Sequence, residues 1–244
     1  MEDLLTWQYK FEYCVYSKKL INKLLLINKR ISDKININEI QKAIYYTKKY
    51  HGSQNRESGE PYYSHPIEVA FMVADYCVKT NILVTSILHD TIEDTSLSKE
   101  KIEYIFGSVI ANQVEDLTRI KADKKINAFE IIELLLQQQK KELLIIKFFD
   151  RIHNIQTIKS KSLEKQKKTI RESLKYFLPI IAKLELFEVE KLMSNYCIKM
   201  NTNEYIPEQC FSFLLSNLQN SILGGYQKSF LAFQNEIDQM YIQK

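Results

Sequence analysis

The chain is 244 residues long, 45% hydrophobic and 26% charged, with a formal net charge of +4. Those values fit a soluble globular protein with one large or two small cores; the charge is too mild to argue for a nucleic-acid partner but suits a small anionic ligand. Five glycines and four prolines among many Leu, Ile, Lys, Glu and Gln favour a predominantly helical build.

In chain order, residues 1–35 read as helix, with Leu20, Ile21, Leu24, Leu25 and Leu26 set among lysines. Ile40, Ala43, Ile44 and Thr47 give a 3/4 spacing and a second helix ending near Tyr50. Residues 51–61 hold two of the five glycines and one of the four prolines and read as a structured loop. Pro66 suits the first turn of a helix running to about Val78. Asn81–Thr91 is the next helix, then Lys99–Phe106 ending at Gly107, then Ser108–Thr118. Arg119–Lys125 is basic and reads as a loop. Ala128–Gln139 and Lys141–Ile158 are helical, the second built around Leu143, Leu144, Ile145, Ile146, Phe148 and Phe149. Residues 163–200 read as a helical pair around Pro179, and 205–244 as one or two further helices. The expectation is an all-α domain over 1–204 with a C-terminal helical extension, 205–244, which packs on the domain or forms a contact between copies of the chain.

Acids at Glu2 and Asp3, with no apolar run behind them, speak against a signal peptide. No segment reaches the roughly 18 uninterrupted apolar residues of a membrane span. Cys14, Cys77, Cys197 and Cys210 have no zinc-site spacing and read as reduced thiols. Together these features predict a cytoplasmic protein without a membrane partner.

The chemistry collects in a few polar islands. The apolar run from Ile82 to Leu88 delivers His89, Asp90, Glu93 and Asp94, acids that resist burial together unless a positive charge sits among them. An acidic helix end facing water is the plain alternative. His65 follows the Gly-Pro loop, and Asp150 ends the apolar run 143–149. His65, His89, Asp90 and Asp150 would make a two-imidazole, two-carboxylate site suited to Mn²⁺, Fe²⁺ or Zn²⁺, with room for water. Glu93 and Asp94 are placed to orient that water or move its proton. Each histidine taken singly, His51 and His153 included, is also compatible with a purely structural role. Asp150, Asn154 and Thr157 are spaced i, i+4, i+7 and would share a helix face, either solvated or aimed at a sugar or phosphate.

Three stretches carry a resemblance. Residues 51–66 run His51-Gly52-x-Gln54-x-Arg56-x-Ser58-Gly59-Glu60-Pro61-Tyr62-x-x-His65-Pro66; residues 88–95 run Leu88-His89-Asp90-x-Ile92-Glu93-Asp94-Thr95; residues 149–157 contain Asp150-Arg151-x-His153-Asn154. In this order and spacing they resemble the motifs of the RelA/SpoT-type HD hydrolases, a likeness extending over about 38–200. It implies an all-α HD fold, one Mn²⁺ held by His65, His89, Asp90 and Asp150, and Glu93 and Asp94 as the pair that activates the attacking water. It further implies Arg56 packed on a guanine base, Ser58 in the same loop, and Asn154 and Thr157 holding the nucleotide. The implied reaction is hydrolysis of the 3′-pyrophosphate of guanosine tetra- or pentaphosphate. Ending at Lys244, the chain resembles the stand-alone small hydrolases of this family.

Two positions depart from the pattern: Glu57 and Gln156 stand where family members often carry basic residues. They keep open an HD phosphohydrolase acting on another nucleotide. A non-catalytic sensor of guanosine polyphosphate is the alternative from another class, and intact Glu93 and Asp94 speak against it.

Overall fold

Some of the helices begin where a short side chain accepts from amides that the first turn leaves unpaired. The computed structural model describes residues 3–118, 120–121 and 124–200. Its elements open with α1 (Trp7–Lys10), α2 (Val15–Asn28), α3 (Ile37–His51), α4 (Ser64–Val73) and α5 (Thr80–Leu88). They continue with α6 (Thr91–Asp94), α7 (Lys99–Phe106), α8 (Ser108–Leu117), the short strands β1 (Ile120–Lys121) and β2 (Lys124–Lys125), α9 (Ala128–Gln137) and α10 (Lys141–Gln156). A 3-10 turn (Ile158–Ser160), α11 (Leu163–Glu172), a π-helical turn (Ser173–Phe177), α12 (Leu178–Lys183) and α13 (Phe187–Met200) complete the described chain. The all-α expectation holds. None of the described helices is long and apolar enough to cross a membrane.

The chain divides into two compact units, Met1–His153 and Asn154–Lys244. The segment 205–244, and with it the expected boundary at 204, lies outside the described residues.

In the first unit α5 is buried on nearly every side. Ile82, Leu83, Val84, Ile87 and Leu88 are all core residues, and the helix packs against α3, α4 and α8. Thr47 on α3 satisfies the carbonyl of Ile87 at 2.9 Å, so the polar atom at that contact is paired. Asn36 starts α3, its Oδ1 accepting from the amides of Asn38 and Glu39. Ser98 and Asn127 do the same for α7 and α9.

Four local differences from the sequence reading have physical causes. The helix expected over 1–35 is two helices, because Phe11 is extended and Cys14 and Ser17 form a reciprocal cap that starts α2 afresh. The helix expected over 81–91 stops at Leu88. Thr91 Oγ1 takes the Leu88 carbonyl at 2.7 Å, and the Asp90 carbonyl then accepts from both Glu93 and Asp94 to start α6. His89 and Glu93 therefore do not share one helix face. The expected basic loop at 119–125 contains a minimal antiparallel pairing, Ile120 with Lys125 and Lys121 with Lys124. In the second unit, the turn before Pro179 widens to π geometry, since proline offers no amide to the carbonyl four residues earlier.

The burial pattern sets a stability test. Ile44→Ala, at a fully buried position on α3, is expected to lower the unfolding free energy by about 2–5 kcal/mol. Leu26→Ala on the exposed side of α2 is expected to change it by less than ~0.5 kcal/mol. Urea denaturation of both variants checks the pair, and equal losses would contradict the assigned core.

Candidate metal and catalytic site

Three helices of the first unit supply the centre of the site. His65 lies in the first turn of α4, where Pro66 can follow because the amide it lacks has no partner within the helix. His89 ends α5, and Asp150 lies on α10 beyond the buried pair Phe148 and Phe149. His65 Nε2 stands 3.1 Å from Asp150 Oδ1, and His89 Nε2 stands 3.9 Å from the same oxygen. One donor atom from each of the three residues lies within 4.8 Å of the others.

The tautomer of His89 follows from its neighbour. Its Nδ1 is 2.8 Å from the Ser86 carbonyl, which can only accept, so Nδ1 carries the proton. In the neutral ring, Nε2 then presents a lone pair toward Asp150 Oδ1. Two electron-rich atoms facing each other across 3.9 Å fit a cation between them. Asp90 adds a second sign: its Oδ2 is buried and has no hydrogen-bond partner, while Oδ1 lies 3.4 Å from His51 Nε2. Asp90 is not one of the three residues whose donor atoms converge; it is the next residue after His89 and looks onto His51. These donors, nitrogen and oxygen without thiolate, fit a divalent ion.

The carboxylates stay ionised although they are largely out of water. Burial alone would raise the Asp150 pKa, but Lys147, His65 and His89 hold it well below the usual range. Asp90 is likewise held down to about 2, burial being outweighed by His89, His51 and His65. His51 is raised, because hydrogen bonding to Asp90 and the charge there outweigh its own burial. Burial lowers His65 and, with the charges of His65 and Arg56 nearby, pushes His153 down to about 3.

The loop 52–63 closes over one side. Gly52 at φ 53 and ψ −123 turns the chain out of α3 in a conformation that side chains disfavour. The Arg56 amide bonds the Glu60 carbonyl and the Gly59 amide bonds the Arg56 carbonyl, giving a tight turn with Ser58 exposed at its tip. Ser58 Oγ is 3.5 Å from Glu60 Oε2. Arg56 is nearer: its guanidinium lies 6.0 Å from the centre of the Tyr62 ring, and its charge bears on His65 and His153. Tyr62 stacks on His51 with ring centres 4.8 Å apart and donates to Asp94 Oδ2 at 2.6 Å. Gln54 holds the Asp94 carbonyl at 3.1 Å. Asp94 is thus fixed by two residues of this loop, and Glu93 precedes it on α6, half-buried.

Asn154 and Thr157 belong to the second unit. Asn154 continues α10, whereas Thr157 has left the helix, with φ −99 and ψ 12 at the head of the 3-10 turn, so the expected i, i+7 face is not completed. Four residues of the first unit had no assigned role in the sequence reading. Lys147, buried within the run taken as apolar, pairs with Asp150 Oδ2 at 3.2 Å. Tyr62 reaches Asp94, His51 reaches Asp90, and His153 reaches His65. A lone lysine inside a hydrophobic run, three residues before an aspartate, was the one legible signal among them.

The sequence profile of the HD domain matches residues 43–186, a span that contains every residue of the candidate site. GTP pyrophosphokinase rsh of Brucella ovis is 33% identical over 175 residues, covering 67% of this chain and 23% of that protein. A probable guanosine-3′,5′-bis(diphosphate) 3′-pyrophosphohydrolase of Mycoplasma pneumoniae is 28% identical over 213 residues, covering 82% and 28%. The guanosine-3′,5′-bis(diphosphate) 3′-pyrophosphohydrolase of Aquifex aeolicus is 31% identical over 166 residues, covering 66% and 24%. The chain spans about a quarter of the length of these relatives. Its matched segment covers more than half of its residues, and the chain belongs to the HD-domain family.

Proposed function

We propose that this chain hydrolyses the 3′-pyrophosphate of guanosine tetra- or pentaphosphate, consuming one water and releasing GDP or GTP and pyrophosphate, with Mn²⁺ as its resident ion. The observation that supports this most is the convergence of His65, His89 and Asp150 inside an HD domain whose relatives carry the pyrophosphohydrolase name. The substrate is a small anionic nucleotide, with no nucleic-acid or membrane partner, and we place the activity in the cytoplasm.

His65, His89, Asp90 and Asp150 would hold the ion. A divalent cation supplies there a Lewis acid that lets water lose a proton near neutral pH. Glu93 and Asp94 then take up that proton, directly or through one another. Because Tyr62 donates to Asp94 Oδ2, Oδ1 is the oxygen of Asp94 assigned to the proton. Arg56 would lie flat against the guanine base, as its planar guanidinium allows, and Ser58, Asn154 and Thr157 would hold the sugar and phosphates. Glu57, exposed in the same loop, favours a second reading in which another phosphorylated nucleotide is the substrate, since it puts negative charge beside a polyphosphate.

The full chain incubated with Mn²⁺ and ppGpp is expected to yield GDP and pyrophosphate in equal amounts. Glu93→Gln and Asp94→Asn are expected to lower kcat by about 10²–10⁴-fold while leaving Mn²⁺ binding in place. Chelation of the metal should abolish turnover and added Mn²⁺ should restore it. Turnover of other nucleotides without ppGpp would move the assignment to the second reading. Binding of ppGpp without hydrolysis would make the chain a sensor.

A further inference from the structure

His153 is buried, lies on α10 one turn beyond Asp150, and has its Nδ1 2.9 Å from the Nδ1 of His65. The two ring centres are 4.8 Å apart with the planes tilted by 57°, so the contact runs through the ring edges rather than through stacked faces. Two imidazole nitrogens at that separation share one proton: one ring donates and the other accepts. The direction is decided by what His65 does at its other nitrogen. Its Nε2 faces Asp150 Oδ1, and a nitrogen that holds a metal must offer a lone pair there. A neutral His65 then carries its proton on Nδ1.

We propose that His153 is a positioning residue for the metal site: its Nδ1 accepts the Nδ1 proton of His65 and so fixes His65 in the tautomer and ring orientation that turn the Nε2 lone pair toward Asp150. His89 receives the equivalent support from the Ser86 carbonyl, which can only accept. His65 has an imidazole in that role, which can either accept or donate, so the support of His65 depends on which tautomer His153 adopts. Partners of this kind raise the basicity of a ligand histidine and restrict its ring, and losing one typically weakens metal binding by about 10–100-fold. The inference rests on the metal-holding part of the proposed function and is independent of which nucleotide is cleaved.

The test is Mn²⁺ binding by the full chain without substrate, followed by the electron paramagnetic resonance signal of free Mn²⁺. His153→Leu removes the acceptor and is expected to weaken binding about 10–100-fold. His153→Asn keeps an acceptor bonded to Cγ, as Nδ1 is, and is expected to stay within about threefold of the unaltered chain. Both variants are compared by their metal-free melting temperatures; should His153→Leu fail to fold, His153→Ala, which also lacks an acceptor, replaces it. Unchanged affinity in the variant lacking the acceptor would overturn the proposal. So would equal weakening in both variants, which would make His153 a packing residue, and so would an unaltered chain that takes up no Mn²⁺. A chain that binds Mn²⁺ with this mutant pattern but leaves ppGpp intact keeps the proposal and removes the alarmone reading alone.

Discussion

Asp150 is an anion placed where the apolar interior of the first unit ends, and its neutralisation governs the arrangement around it. A carboxylate largely removed from water is unfavourable by several kcal/mol, roughly, unless charges or hydrogen bonds compensate. The compensation comes from three directions. Lys147 reaches Oδ2 from the preceding turn of the same helix, while His65 on α4 and His89 at the end of α5 both face Oδ1. The oxygens are thus divided, one given to a fixed cation of the protein and the other to the imidazoles and whatever ion they hold.

The break at His89–Asp90 belongs to the same constraint. Had α5 continued, successive residues would have been rotated by about 100° along one regular surface. Ending the helix at Leu88 lets His89 fold its Nδ1 back on the Ser86 carbonyl, while Asp90 meets His51. The short turn of α6 then presents Asp94 to Tyr62, whose ring lies on His51. A stacked histidine and tyrosine therefore connect Asp90, one of the proposed metal ligands, with the acid proposed to take the proton. The loop that bears Arg56 and Tyr62 is held to α3 through Gln54, which bonds both His51 and Asp94, so the arginine proposed to meet the base and the acid proposed to take the proton share one support.

Much of this was legible in the residues. The period of Ile40, Ala43, Ile44 and Thr47 marks a buried face of α3, and all four are buried. His89 and Asp150 announce themselves as polar groups at the ends of apolar runs and His65 as one that follows the Gly-Pro loop, and the three do come together. What the chain order hides is contact across long sequence distances: His65 and His153 are 88 positions apart, and His51 and Asp90 are 39 apart. Helix periodicity speaks only of neighbours three or four residues away, so neither pair has a local signature. The break after Leu88 was missed for a different reason. A four-residue turn following directly on a nine-residue helix has the same composition as its continuation, and only the side-chain bond of Thr91 to the Leu88 carbonyl separates the two.

The stripe on α10 sharpens the division of roles. Lys147, Asp150 and His153 follow one another at intervals of three, which on a helix fans them by about 60° per step across one side. The order of their charges, positive, negative, neutral, is the order the proposed metal site would require. A cation at 147 can approach Asp150 from behind without competing for Oδ1. A cation at 153 would instead donate toward His65 Nδ1, force the His65 proton onto Nε2, and close the lone pair that a metal needs. Burial of His153 among His65 and Arg56 opposes that charge. The neutral state of the last residue of the stripe therefore belongs to the proposed metal site together with the negative charge of Asp150, and burial of His153 with the Arg56 guanidinium nearby favours it.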